Sequence, residues 1–224
     1  MSDAPLHGDE HEHHPFLQHH FEDMGQQHEA STLGMWMFLA TEILFFGGLF
    51  LAYAVYRTTY EQAWVAGAQL QNLKLGTINT AVLISSSLTM ALAVHYAQLG
   101  RRLATFYCLV GTLLLGSGFL IIKGIEYHAH FVEGLLPGPY FTWHGPMAPK
   151  VELFMTFYFS MTGLHALHMI IGAGLLVWFM WRTWRGHFGP EYFSPVEIMG
   201  LYWHFVDIVW IFLFPLLYLI GRHA

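Results

Sequence analysis

Five long stretches of this chain carry almost no charge, and they leave it one kind of place to fold. They run over residues 33–56, 76–97, 103–127, 151–181 and 195–220. A helix rises about 1.5 Å per residue, so about 20 residues cross the roughly 30 Å of bilayer hydrocarbon. Hydrocarbon offers no partner to a backbone N–H or C=O, so only helices and closed barrels span it. These stretches are continuously apolar and lack the in–out alternation of a barrel strand. The expected fold class is therefore all-α: a polytopic membrane helix bundle with five transmembrane helices and a polar N-terminal tail. Lys, Arg, Asp and Glu make up 11% of the chain, against about 25% in soluble domains. A net charge of -6, with no basic cluster, excludes a nucleic-acid partner.

The tail covers 1–30 and the membrane domain 31–224. Seven histidines, His7, His11, His13, His14, His19, His20 and His28, are scattered through the tail among acidic residues. Such a segment is expected to be disordered or interfacial, with adventitious metal affinity. It has no Lys or Arg and no apolar core, so no cleavable signal peptide is expected. Residues 98–102, QLGRR, predict a tight turn that makes spans two and three antiparallel neighbours. Residues 182–194 predict a medium loop. Residues 128–150, with Pro137, Pro139, Pro146 and Pro149, predict a long irregular one, and 57–75 show no clear pattern.

Arg101, Arg102, Arg182 and Arg185 lie in the two short loops, on the side of the N-terminus. Arg57, Lys74, Lys150 and Arg222 are spread over the other side, with Lys123 leaning the same way. Paired arginines in short loops place the N-terminus in the cytoplasm.

Ionisable groups inside the spans are the candidate sites. Each costs roughly 2.5–3.5 kcal/mol to insert, so a chain that keeps one either pairs it or uses it. Glu42 lies nine residues past Leu33, about 13 Å into the hydrocarbon and near its midplane. It is expected either to be carried neutral or hydrogen-bonded between helices, or to take part in proton chemistry. Thr41, Gly47 and Gly48, with Asn79, Thr80 and Ser85 to Ser87 on the second span, suit close helix packing. His204 and Asp207 in the last span are spaced i,i+3, as are His165 and His168 in the fourth. A His–Asp pair can orient an imidazole or support a proton step. Glu126, Tyr127, His128 and His130 cluster where the third span ends, suited to lipid headgroups or a subunit contact. Trp203 and Trp210, seven apart, share one helix side that can pack on a neighbouring subunit, with packing or polar glue within the bundle as the expected role.

Redox chemistry in the chain itself has little to stand on. The single cysteine, Cys108, excludes CxxC zinc sites, CxxCH haem attachment and a two-cysteine copper site, and it is expected to pack as a small hydrophobe. A bis-histidine cytochrome stacks two histidines on one helix, about four turns apart. Four turns from His165, His168 and His204 stand Trp178 and Phe179, Trp181 and Arg182, and Leu217 and Tyr218. There is also no inverted repeat and no pair of broken spans of the transporter kind.

Five ordered motifs then carry a resemblance. GLYWHFVDIVWIF (200–212), GLHALHMIIG (163–172), GMWMFLATEILFFGG (34–48), INTAVLISSS (78–87) and KGIEYHAHF (123–131) together resemble subunit III of haem-copper cytochrome c oxidases, in its bacterial five-helix form, over about 31–221. The resemblance implies a non-redox accessory subunit of a respiratory terminal oxidase, whose subunit I reduces oxygen and pumps protons. It implies that the chain braces subunit I, binds structural phospholipid, supports proton uptake and protects against turnover inactivation. Subunit I is the main partner implied, with subunit II, small subunits and a larger respiratory supercomplex as further neighbours. No cofactor is expected in this chain, haem and copper lying in partner subunits, and no catalytic residue. The location implied is the bacterial cytoplasmic (inner) membrane.

Glu42, His204 and Asp207 then correspond to buried polar or proton-related positions. Glu126, His128, His165, His168, Trp203 and Trp210 correspond to lipid or subunit contacts. Two features depart from the family pattern. Full-length members have seven helices, the missing two being supplied in bacterial forms by an extended subunit I. The basic residue often found before the first motif is absent, since Ser31, Thr32 and Leu33 precede Gly34. Alternatives are a stand-alone proton or ion transporter using Glu42 and Asp207, a membrane cytochrome, and a metal sensor acting through the histidine tail.

Overall fold

A computed structural model describes residues 17–145, 147–190 and 192–221. Of the tail histidines, His7, His11, His13 and His14 lie outside the described residues, as do Pro146 and Arg222. The described chain is helical, in the order α1 (Met24–Thr59), α2 (Glu61–Gln69), α3 (Leu73–Gln98), α4 (Arg102–Val132), α5 (Ala148–Trp184) and α6 (Ser194–Phe214), followed by a π turn (Pro215–Leu219). Five helices are long and apolar enough to cross a membrane: α1, α3, α4, α5, and α6 with its π turn. The chain is a polytopic membrane protein.

Local chemistry sets the helix ends. Asp23 opens α1, its carboxylate accepting the Gln26 N–H at 2.7 Å. Asn72 opens α3 by accepting from the Leu75 N–H at 3.2 Å. Both caps satisfy a donor that the first turn leaves free. Pro149 and Pro195 sit in the first turns of α5 and α6, where a missing N–H costs nothing. Gly100, at φ 68°, makes the turn that folds α4 back on α3, as QLGRR predicts.

The helices outrun the apolar stretches. α1 begins at Met24, so residues 24–30 belong to the membrane bundle and not to the tail. Gln27 is buried there, and His28 Nδ1 lies 2.8 Å from Ser194 Oγ on α6. Hydropathy marks where hydrocarbon begins, whereas a capped helix continues into the interface without penalty. α5 is 37 residues long, about 55 Å, which requires tilt or projection beyond the hydrocarbon. The segment 57–75 contains α2, too short to show a helical period. It buries Ala63, Trp64, Gly67 and Ala68, and Phe154 of α5 packs directly on Gly67.

α3 packs along α4, and α6 fills the seam against α3 and α5. α6 is the most buried span and α1 the least. At the centre, the Trp203 indole is clasped between two helices. A methyl built on Gly116 of α4 would come 2.8 Å from the ring, and one on Gly172 of α5 3.0 Å from its other edge. Glycine is required at both positions because a planar side chain held on two sides cannot yield.

Gly116→Ala is therefore expected to destabilise the bundle by about 1–3 kcal/mol. Gly118→Ala, where nothing lies within 4 Å of the added carbon, is expected to be neutral or slightly stabilising. Thermal unfolding of the two variants in detergent measures the difference.

Candidate functional site

Three groups of polar side chains sit inside the apolar bundle, and they differ in how fully they are satisfied. The most complete is centred on Lys123. Lys123 and Glu126 lie one turn apart on α4, and Nζ meets Glu126 Oε2 at 2.9 Å. The same ammonium reaches the hydroxyls of Tyr158 on α5 and Tyr218 in the π turn, each at 2.9 Å. Its three donors are thereby all engaged. It also lies 4.8 Å from the ring centre of Tyr158 and 5.2 Å from that of Trp210, in cation–π range. Tyr218 in turn donates to Glu126, with both carboxylate oxygens at 2.9 Å. Lys123 is 4% exposed and Glu126 1%.

The π turn makes this cluster possible. Pro215 has no N–H to give the carbonyl a turn before it, and the helix widens there. The Leu216 carbonyl inside the widened turn accepts from the Tyr53 hydroxyl of α1. The turn is thus tied to α1 by Leu216 and to α4 by Tyr218.

The second group is Glu42 with His168. Glu42 Oε2 lies 3.2 Å from His168 Nε2, joining α1 to α5, and the carboxylate side chain is 19% exposed. His168 Nδ1 lies 2.9 Å from the Leu164 carbonyl. A carbonyl can only accept, so Nδ1 carries a proton. Nε2 is left facing the Glu42 carboxyl. Phe46 lies against the imidazole at 5.4 Å between ring centres, and Tyr202 of α6 donates to the His168 backbone carbonyl at 2.9 Å.

The third group is His204 and Asp207 on α6. His204 Nδ1 lies 2.7 Å from Ser87 Oγ on α3. Asp207 is 3% exposed, and neither of its oxygens has a hydrogen-bond partner among the described residues. The i,i+3 spacing brings His204 and Asp207 to one groove without a bond between them.

The residues read as lipid or subunit contacts differ in burial. Glu126, His165, Trp203 and Trp210 are all buried within this chain. Trp203 donates to Ser86 Oγ at 3.0 Å and Trp210 to Thr80 Oγ1 at 3.1 Å. His165 lies between the rings of Phe119 and Trp210, each 5.3 Å away, and neither ring nitrogen has a hydrogen-bond partner among the described residues. A seven-residue spacing identifies a shared side, but on a helix apolar all round it does not say which way that side points. His128 is exposed and His168 partly so. Sequence reasoning treated Lys123 as an orientation marker and missed Tyr158 and Tyr218. The available signal was KGIE, opposite charges at i,i+3 in an otherwise apolar run.

Two grooves flank α6. The larger, of about 760 Å³, lies between α1 and α6; its walls include Leu39, Phe46, Phe50, Phe205 and Val209, with Arg57 towards one end. The smaller, of about 360 Å³, lies between α3 and α6 and includes Ser87, His204 and Asp207. Among the described residues, no three His, Cys, Asp or Glu side chains converge where they could hold a metal ion.

Residues 19–222 match the family described as Cytochrome c oxidase subunit III. A cytochrome c oxidase subunit 3 of Thermostichus vulcanus is 33% identical over 208 residues, covering 89% of this chain and 92% of that protein. One from Corynebacterium diphtheriae is 34% identical over 191 residues, covering 84% and 87%. A heme-copper oxidase subunit I+III of Aeropyrum pernix is 31% identical over 192 residues, which are 83% of this chain and 22% of that longer protein.

Removing one partner of a buried ion pair strands the other. Lys123→Met is therefore expected to cost about 3–5 kcal/mol. Lys123→Met combined with Glu126→Gln should recover a large part of that loss, because no uncompensated charge remains. A double-mutant cycle read by unfolding in detergent measures the coupling.

Proposed function

The chain belongs to the cytochrome c oxidase subunit III family, and we propose that it serves as the non-redox accessory subunit of a respiratory terminal oxidase, packed on subunit I. The observation that carries this reading is the extent of the family match, which spans all five membrane helices. The Aeropyrum pernix protein supports subunit I as the main neighbour. There a region similar to this chain occurs in a single protein named subunit I+III, and fusion keeps its two parts adjacent.

Oxygen reduction and the haem and copper that perform it are assigned to the partner subunits. This chain contributes shape and a low-dielectric surface. The α1/α6 groove suits acyl chains of a structural phospholipid: its wall is aliphatic and aromatic, and Arg57 at its end suits an anionic headgroup. The arginines of the two short loops support a bacterial cytoplasmic membrane location with the N-terminus inside.

Glu42 and His168 are read as a proton-sharing pair that closes the α1/α5 seam and can buffer a proton beside subunit I. Affinity purification through a tag on this chain tests the assignment. The expected eluate contains subunit I and shows its haem spectrum, while the chain stripped from the complex is colourless. A colourless eluate without subunit I would overturn it.

Gln in place of Glu42 retains a hydrogen-bond donor for His168 Nε2. Oxidase carrying Glu42→Gln is therefore expected to keep its haem spectrum and to consume oxygen within about twofold of the parent, a change below about 0.5 kcal/mol. Absorption spectroscopy and an oxygen electrode provide the check, and loss of the haem spectrum would refute a non-redox role.

A further inference from the structure

Asp207 presents a problem that this chain leaves unsolved. It stands 13 residues after Ser194 and 12 before Leu219, the ends of the last span, about 18–20 Å from each. It is therefore at the membrane midplane. Among the described residues neither oxygen has a partner of full hydrogen-bonding geometry, and only 3% of the residue is exposed. The polar groups that share its groove offer it little. Thr80 donates to the Gly76 carbonyl at 2.9 Å and accepts from Trp210. Ser87 is the hydroxyl beside Asp207, and it is shared with His204 Nδ1 at 2.7 Å, so it can serve at most one of the two carboxyl oxygens.

One shared hydroxyl completes neither protonation state. A carboxylate needs donors on both oxygens, and a carboxylic acid needs an acceptor for its O–H and a donor for its carbonyl. Lipid tails supply neither, and headgroups begin about 15 Å from the midplane. The groove beside Asp207 is nevertheless open at its rim, where Ile84 and Leu88 of α3 and Ile208 of α6 are more than half exposed. An apolar rim around an unsatisfied polar floor, at a depth only a membrane-spanning segment reaches, is a complementary half-site for a helix.

We propose that the α3/α6 groove receives a transmembrane helix of another oxidase subunit, which presents a hydrogen-bonding side chain such as Ser, Thr, Asn, Gln, Tyr or Trp to Asp207. The proposal rests on membership of an oxidase complex, and it goes further by naming the face, the anchor and the partner's chemistry. The α1/α6 groove on the far side of α6 differs in kind: apart from His204 and Arg57 its wall is apolar, which suits lipid.

The test uses the intact complex. A photo-crosslinking benzoylphenylalanine is placed at Leu88, on the groove rim, and separately at Leu114, exposed on α4 and outside the groove. Irradiation is expected to join position 88, and not 114, to another oxidase subunit. Products of position 88 with lipid only, or with a second copy of this chain, overturn the proposal. In parallel, Asp207→Asn keeps hydrogen-bonding capacity and should retain the partner subunits in detergent. Asp207→Leu should weaken retention about three- to thirtyfold, as loss of one interhelical hydrogen bond predicts. Because Asp207→Leu can also impair folding, the position-88 crosslink, made on an otherwise unaltered chain, decides the matter. Failure of the unaltered chain to co-purify with a haem-bearing subunit would count against complex membership itself; co-purification without the position-88 crosslink counts against the groove alone.

Discussion

A lysine carried into a membrane bundle must find a counter-charge and partners for all its protons, and the arrangement around Lys123 follows from that demand. Glu126 supplies the charge from one turn along the same helix. Tyr158 and Tyr218 supply two more oxygens from α5 and from the end of the last span. Three segments distant in sequence are thus held at one point by groups that cannot separate without exposing an ion to hydrocarbon. The adjoining aromatic packing is built on the same point: Trp210 lies over the ammonium, Phe119 meets Trp210 edge to face at 4.7 Å, and His165 is held between those two rings. Even the departure from α-helical geometry at Pro215–Leu219 serves it, since the widened turn carries the tyrosine that touches both ions.

The membrane topology was legible in the sequence because hydrocarbon imposes it through length and continuity of apolar residues. Both signals are local. The tight turn at Gly100 was legible for the same reason. The helix ends were not, because caps such as Asp23 and Asn72 act in the interface, where hydropathy has already faded. α2 was hidden because nine residues with four buried small or aromatic side chains show no period. The hardest element was the direction of side chains. On a helix that is apolar all round, residues such as Trp203 and Trp210 can face lipid, a partner or the core with equal hydropathy. Only the glycines opposite Trp203, on two other helices, decide for the core, and no spacing within α6 encodes them.

Polar residues in this bundle fall into an order set by how much the chain completes by itself. Lys123 and Glu126 are closed off entirely. Glu42 and His168 face each other across the α1/α5 seam and remain partly exposed there. His204 is satisfied by Ser87 yet sits on the ridge between two grooves. Asp207 has the shared Ser87 hydroxyl beside it and no partner of full hydrogen-bonding geometry among the described residues. The order is one of hydrogen-bond completion and not of depth, since Asp207 is 3% exposed and Lys123 4%.

The surfaces follow the same division. α1 is the least buried span and exposes Leu33, Met37, Ile43, Leu44 and Leu51, all apolar and all at ease against acyl chains or another helix. Among the described residues, no buried polar atom of α1 is left without a hydrogen bond. The α3/α6 face is equally apolar at its rim but contains a carboxyl that hydrocarbon cannot satisfy. Exposure alone therefore does not distinguish a lipid-facing surface from a subunit interface in this chain. The distinguishing quantity is unsatisfied hydrogen-bonding capacity at depth, and it points to α3 and α6 rather than to the more exposed α1.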